Sequence, residues 1–254
     1  MQILLASAKI MRDRCRSRGL VPTEPLFHSS AMRLVQDMAR KSTDELSLLF
    51  TCSPEIAQLN RERFQTILGG EAEIMPAVLT YYGQAYKHLK ADTLNNEDLL
   101  WAQEHLWISS CLWGLLRPLD GISPYRMEGG FALPCTGGRK VNEYWREKLT
   151  DTLIESALND DGVLVYLDTE EFRSLFDWKR VVREVKLIIE PEFHVIKNDK
   201  MTTPSVWAKT CRGAMTRYII ENRIGNPESL KDVKYEGFAL NENAKGEFVY
   251  TTKK

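Results

Sequence analysis

The chain has 254 residues, is 43% hydrophobic and 27% charged, and sets 34 lysines and arginines against 35 carboxylates for a net charge of −1. That composition belongs to a folded globular protein and argues against a disordered or fibrous one, and the charge lacks the basic excess by which nucleic-acid binders usually announce themselves. No apolar run reaches the roughly 18 residues of a membrane span, and "MQILLASAKIMRDRCRSRG" has too short an apolar stretch for a secretory signal, so a cytoplasmic location is expected.

In chain order, "QILLAS" (2–7) is an aliphatic run that predicts a buried strand. Residues 11–28 are irregular, broken by Gly19, Pro22 and Pro25. Met32, Val35, Met38 and Ala39 recur at helical spacing behind Ser29 or Ser30 as N-cap. Ser42-Thr43-Asp44-Glu45 has the form of a capping box opening a second helix, and Ser53-Pro54 opens a third that Gly69-Gly70 stops. "PAVLTYYGQAYKHLKA" (76–91) and "NEDLLWAQEHL" (96–106) read as helices. "VNEYWREKLTDTLIESAL" (141–158) brings Tyr144, Leu149, Leu153 and Leu158 near one helical face. "GVLVYLD" (162–168) alternates too little for a half-exposed strand and predicts a buried one. Two strand-like runs within 182–196 divide at Pro191, and 203–224 predicts a helix capped by Thr203 with Pro204 in its first turn. "KYEGFAL" and "GEFVY" predict a hairpin. Strands and helices interleave without repeat or linker, so the expectation is one mixed α/β domain over 1–254, its central mixed sheet flanked by helices.

Five cysteines (Cys15, Cys52, Cys111, Cys135, Cys211) show no C-x-x-C pair, and four histidines (His28, His88, His105, His194) are equally dispersed, so neither disulfides nor a metal site is expected. The nucleotide, dinucleotide, zinc-protease and serine-hydrolase motifs are absent, and no cofactor is implied. Charge is local. Lys9, Arg12, Arg14, Arg16 and Arg18 oppose Asp13, and Lys209, Arg212, Arg217 and Arg223 oppose Glu221. These runs are either solvated faces or, if the fold brings them together, a basic cleft on a neutral protein.

Four constellations carry candidate chemistry. Ser7-Ala8-Lys9 follows the first strand, where ligands dock in open α/β sheets; Lys9 would hold an anion or act as a base, or simply mark the strand's exit into water. Arg117-Pro118-Leu119-Asp120 and Pro124-Tyr125-Arg126 place arginines in proline-stiffened turns, which lowers the entropy lost on clamping a phosphate or carboxylate; the alternative is internal pairing with Asp120 and Glu128. Asp168-Thr169-Glu170-Glu171 follows the second buried strand and reads as an acid/base group or as a helix cap. Lys209, Arg212, Gly213 and Arg217 share one helical face, where glycine lets a phosphate, or a packed helix, come close.

These places, in this order, resemble the peroxide stress protein YaaA family along almost the full chain. "LLASAKI" is similar to the family's I-S-P-A-K-T, "WGLLRPLDGISPYRMEGG" to Y-G-x-L-R-P-L-D-x-x-x-P-Y-R-x-E-M-G, and "KTCRGAMTRYIIENRI" to K-x-A-R-G-x-M-x-R-[YF]-I-I-x-N-R; "VLVYLDTEEF" stands where the family has N-L-A-S-x-E-Y. The resemblance implies a cytoplasmic protein of the hydrogen peroxide response, a mixed α/β fold with a positive cleft and a helix-hairpin-helix-like element, and duplex DNA as partner. It also implies Lys9, Arg117, Arg126, Lys209, Arg212 and Arg217 as the cleft residues. The family's S-G-L-Y-G turn reads Ser110-Cys111-Leu112-Trp113-Gly114 here, and a cysteine there would weaken a backbone–phosphate contact. Asp168 adds a charge.

Two functions are therefore expected as alternatives. One is non-catalytic DNA binding through Ser7, Lys9, Arg117, Arg126, Lys209, Arg212 and Arg217. The other is an enzyme of a specialised biosynthetic pathway acting on a nucleotide-like or other anionic small molecule, with Lys9, Glu170 and Glu171 moving protons.

Overall fold

Apolar runs without polar alternation become the centre of the computed structural model, which describes residues 1–15, 19–198 and 200–253. Arg16 and Arg18 of the first basic run lie outside the described residues. Strand β1 (Gln2–Ala6) precedes helices α1 (His28–Ala39), α2 (Thr43–Phe50) and α3 (Pro54–Gly69). Then come β2 (Met75–Pro76), α4 (Ala77–Thr80), α5 (Gln84–Leu89) and α6 (Asn96–His105). Strands β3 (Leu106–Ser110), β4 (Gly114–Leu116) and β5 (Gly121–Ile122) lead to α7 (Val141–Asn159) and β6 (Val163–Leu167). Helices α8 (Glu170–Arg173) and α9 (Trp178–Glu184) precede β7 (Leu187–Ile189), β8 (Glu192–Lys197) and β9 (Lys200–Thr202). Helix α10 (Ser205–Asn222) and strands β10 (Ala239–Leu240) and β11 (Val249–Lys253) follow.

The main sheet has the order β4-β3-β1-β6-β7. β1 pairs in parallel with β3 and β6, β6 with β7, and β4 is the antiparallel edge. Ile3, Leu4 and Leu5 of β1 are buried on both faces. This is the expected central mixed sheet with helices around it, and two smaller sheets accompany it: β10-β11-β8-β9 and β2-β5. The predicted hairpin forms between β10 and β11, and β11 also pairs in parallel with β8.

Local chemistry explains where elements start. Ser42 Oγ accepts from Glu45 N at 3.2 Å and Glu45 accepts from Ser42 N at 2.8 Å, the reciprocal box expected ahead of α2. Helix α1 instead begins at His28, with Phe27 in the cap position, and α10 is preceded by Pro204, one residue past the Thr203 expected as cap. The single helix expected over 76–91 is broken into α4 and α5. Tyr81 bridges Met11 across the gap, and a Cβ on Gly83 would stand 2.6 Å from the Ala8 Cβ, so the chain leaving β1 packs into the break. Residues 182–184, expected as strand, complete α9, which Asp177 caps by accepting from Arg180 N at 3.2 Å.

Gly213 answers to packing. A Cβ there would lie 1.9 Å from the Ala85 carbonyl oxygen of α5, so the group that approaches its backbone is a neighbouring helix rather than a phosphate. Gly213→Ala must separate α5 from α10. We expect a loss of roughly 3 kcal/mol or more, above the usual range for overpacking because backbone must move. The midpoint of urea denaturation measures it, and an unchanged midpoint would refute the packing.

Candidate functional site

From β1 the chain runs to β3 on one side and later, through α7, to β6 on the other, so the strand order reverses between β1 and β6. In open α/β sheets a crevice forms at the carboxyl ends of the strands flanking such a reversal, because successive connections leave in opposite directions. A cavity of about 370 Å³ lies there, walled by residues 5–10 at the end of β1, by Leu167, Thr169, Glu171 and Phe172 at the end of β6, by 82–87 of α5 and its approach, by 125–127, and by Lys209 and Arg212 of α10.

Of the predicted residues, Ser7, Lys9, Arg126, Glu171, Lys209 and Arg212 line this cavity. Backbone hydrogen bonding fixes the strand exit, Ser7 N donating to Ser109 O at 3.0 Å. Glu128 holds two cations with one oxygen: Lys9 Nζ at 3.0 Å and Arg126 Nη2 at 2.9 Å. Arg126 also donates to Phe50 O at 3.0 Å, which locks its fork, while its Nε is buried without a partner. Lys209 is exposed. Arg212 is half-buried, its Nε is buried and unpaired, and its guanidinium makes no hydrogen bond or ion pair with the described residues. Burial accordingly pulls its pKa below the ordinary arginine value.

Arg117, Arg217 and Glu170 are elsewhere. Arg117 Nη2 meets Asp120 Oδ1 at 3.2 Å and its backbone N meets Asp120 Oδ2 at 2.8 Å, so the proline-stiffened turn serves internal pairing. Arg217 Nη1 donates to Leu89 O, Lys90 O and Thr93 Oγ1 at 3.0, 2.8 and 2.7 Å and Nη2 to Glu221 at 2.6 Å, satisfying the carbonyl end of α5. Glu170 is largely exposed and pairs with Arg173 at 3.2 Å. The Ser110–Gly114 segment is corrected as well. It is the β3–β4 hairpin turn, with Cys111, Leu112 and Trp113 all buried and Ser110 Oγ accepting from Leu112 N at 3.2 Å and Trp113 N at 3.0 Å. A phosphate has no access to it, so Cys111 does not weaken a phosphate contact there.

Lys87, Tyr82 and a buried hydroxyl chain went unpredicted, and Asp168, expected as an acid/base group or helix cap, is buried behind the wall. Lys87 and Tyr82 lie in the stretch read as continuous helix, and the break is what places them on the cavity's rim. Ser110 Oγ, Tyr125 OH and Tyr81 OH form a buried chain with links of 2.6 and 2.7 Å, and burial raises both tyrosine pKa values. Beside Leu167 and Thr169 of the wall lies Asp168, fully buried, bonded by Ser109 Oγ and by Thr169 N at 2.6 Å. Burial pushes its carboxyl up to about 7, against the hydrogen bonds from Ser109 and Thr169 and the charge of Arg212.

A mixed α/β protein with a cation-lined cavity at the strand-order reversal is the class these features define. Within it, the chain belongs to the peroxide stress protein YaaA family, whose model matches residues 1–244. A UPF0246 protein of Bacteroides fragilis is 42% identical over 250 residues, covering 98% of this chain and 97% of its own length. One from Phocaeicola vulgatus is 43% identical over 240 residues, 94% of each chain. One from Porphyromonas gingivalis is 35% identical over 252 residues, 98% of each. Among the described residues no helix is long and apolar enough to cross a membrane, and no cluster of three His, Cys, Asp or Glu is placed to hold a metal.

Asp168 makes stability depend on pH. Its folded pKa lies above the ordinary 3.8, so between about pH 4 and 7 the folded protein holds a proton that the unfolded chain has released. Its contribution is greatest at the acid end and is lost as pH rises through about 7. Asp168→Asn removes this slope. Relative to wild type it should gain stability at about pH 8.5 compared with about pH 5, by up to roughly 3 kcal/mol. Parallel urea titrations at the two pH values would show it, and identical differences at both would contradict it.

Proposed function

We propose that the cavity binds an anionic small molecule, with a phosphate or carboxylate against Arg212, and that this binding serves the peroxide-stress role for which the family is named. One observation carries the reading: Arg212 is desolvated yet has no partner among the described residues. Burying an unpaired guanidinium costs several kcal/mol, and an anion offsets that cost where no side chain does. The surroundings support it. Lys9, Lys87, Arg126 and Lys209 stand in the same wall against Glu171, and Glu128 takes up the charge of only one of the two cations it touches. A cavity of about 370 Å³ that pairs these charged groups with the aromatic rings of Tyr82, Tyr86, Tyr125 and Phe172 suits a nucleotide-sized ligand. Lys9, an ammonium paired with Glu128, and Glu171 set a proton donor and a carboxylate in one cavity, which a catalytic role would draw on.

Duplex DNA is the second reading, favoured by the exposure of Lys9, Lys87 and Lys209, which a polyanion would meet without entering. Arg117 and Arg217, occupied internally, leave few cations for tracking phosphates.

Thermal shift with sulfate, phosphate, nucleoside phosphates and dicarboxylates tests the first reading. We expect a rise in Tm with wild type and none with Arg212→Gln, whose Tm without ligand should equal or exceed that of wild type. Arg217→Ala should instead lower Tm without ligand by several degrees, since it strips the carbonyl end of α5. No shift in wild type with any anion overturns the small-molecule reading. Under the DNA reading, Lys87→Ala and Lys209→Ala each reduce the slope of log affinity against log salt by about one contact, whereas Arg212→Gln leaves it unchanged.

A further inference from the structure

Asp168 has no part in the anion-binding reading as stated so far, yet it sits directly behind the cavity wall. Its position follows from register. Ser109 of β3 lies opposite Ala6 of β1, and Leu5 lies opposite Leu167 of β6, so the next residue, Asp168, flanks Ala6 from the other side. Ser109 and Asp168 are therefore two strands apart, on the order of 10 Å between backbones. Their side chains nevertheless hydrogen-bond, Ser109 Oγ donating to Oδ2, because the methyl group of Ala6 leaves room over β1. Oδ1 accepts from Thr169 N. The carboxyl is thus held fast, with no access to solvent.

The groups facing it come from several elements. Tyr86 of α5 is committed to Ala6 O at 3.0 Å, and Tyr166 of its own strand to Thr169 O at 3.0 Å. Burial raises both of these hydroxyls and the Cys111 thiol, so all three are neutral near pH 7. That leaves two charged groups, Arg212 of α10 and Glu171 of α8. Arg212 is the foremost charge acting on Asp168, and Asp168 the foremost acting on Arg212, although no direct ion pair joins them.

We propose that Asp168 is the built-in counter-charge of Arg212, and that an anion entering the cavity takes over this role while Asp168 takes up one proton from solvent. The inference rests on the anion-binding reading above. Its logic is reciprocal: an anion near Arg212 disfavours a second negative charge behind it, so protonating Asp168 must favour the anion by the same factor. Asp168 thereby makes affinity fall as pH rises through the neutral range.

Sulfate is the probe, because it does not titrate near neutrality and so isolates the protein's proton. His88, which touches the wall residue Gln84, is pulled below its ordinary value by burial, away from the titrated range. Sulfate affinity is measured by calorimetry from about pH 6.5 to about pH 8.5. Wild type should weaken as pH rises, by at most about tenfold per pH unit, the limit for linkage to one proton. Titration in two buffers of different ionisation enthalpy should show net proton uptake near pH 7.5. Asp168→Asn should bind sulfate more tightly at high pH, with a flat profile and no uptake. Ser109→Ala removes a hydrogen bond that favours the ionised carboxylate and should move the wild-type profile to higher pH, which tests the same device should Asp168→Asn fail to fold. Sulfate binding with an unchanged profile in both variants, or without proton uptake in wild type, overturns this inference and leaves the anion site standing. No sulfate binding at any pH overturns both.

Discussion

The site depends on β1 ending between two parallel neighbours. A strand paired on both edges and apolar on both faces cannot shift without losing hydrogen bonds and core contacts together, so its carboxyl end is a fixed point. Ser7 is tied to Ser109 on one side, and Ala6 lets Ser109 reach Asp168 on the other. Residues about 100 and 160 positions apart in sequence therefore meet within one row of the sheet. The second wall hangs on a contact of a different kind. Gly213 brings α10 onto the Ala85 carbonyl, and that close approach carries Arg212 and Lys209 to the strand ends. The cavity is the gap between a rigid sheet edge and a helix pair that only glycine allows to close.

A protein of net charge −1 can hold a cationic cavity because its arginines are sorted by environment. Arg117 is neutralised by the buried Asp120, and Arg217 is spent on carbonyl groups and Glu221. Lys9 and Arg126 divide one carboxylate between them. Of the four motif arginines, Arg212 is the one left desolvated and without a partner among the described residues. Charge counting sees four equivalent motif arginines; the difference among them lies in which carboxylate or carbonyl the fold brings near, and each of those partners except Asp120, Glu128 and Glu221 is distant in sequence.

That sorting explains what could be read from the chain. The central sheet, the capping box at Ser42 and Glu45, the long helix over 141–159 and the hairpin with β11 are local patterns or uninterrupted apolar runs, and they survive folding. Lys9, Arg126, Glu171 and Arg212 were legible as a set because strand ends and helix faces direct side chains predictably. The break at Tyr81–Gly83 was not, since it is imposed by Ala8 and Met11 packing from a distant segment, and with it went Lys87. Ser109 and Asp168 carry no local signal for their pairing. Serine before a hairpin and aspartate before a short helix both read as turn and cap chemistry, and only the parallel register across β1 turns them into a pair.

Seen through that register, the burial of Asp168 and the isolation of Arg212 are two halves of one arrangement. A buried carboxyl without a full ion pair is costly when ionised, and a desolvated guanidinium without a partner is costly at any pH. Were the two in direct contact, each would stabilise the other and the arginine would be as inert toward ligands as Arg117. Held apart, with Ser109 and Thr169 anchoring the acid and the α5–α10 packing anchoring the base, neither is fully compensated. Under the proposed reading Arg212 stays available to an outside anion, while Asp168, with its carboxyl pushed up to about 7, limits the unbalanced positive charge at the cavity. Separation of the pair by rigid elements is what makes a site of it, since flexible side chains would close the gap and extinguish the charge.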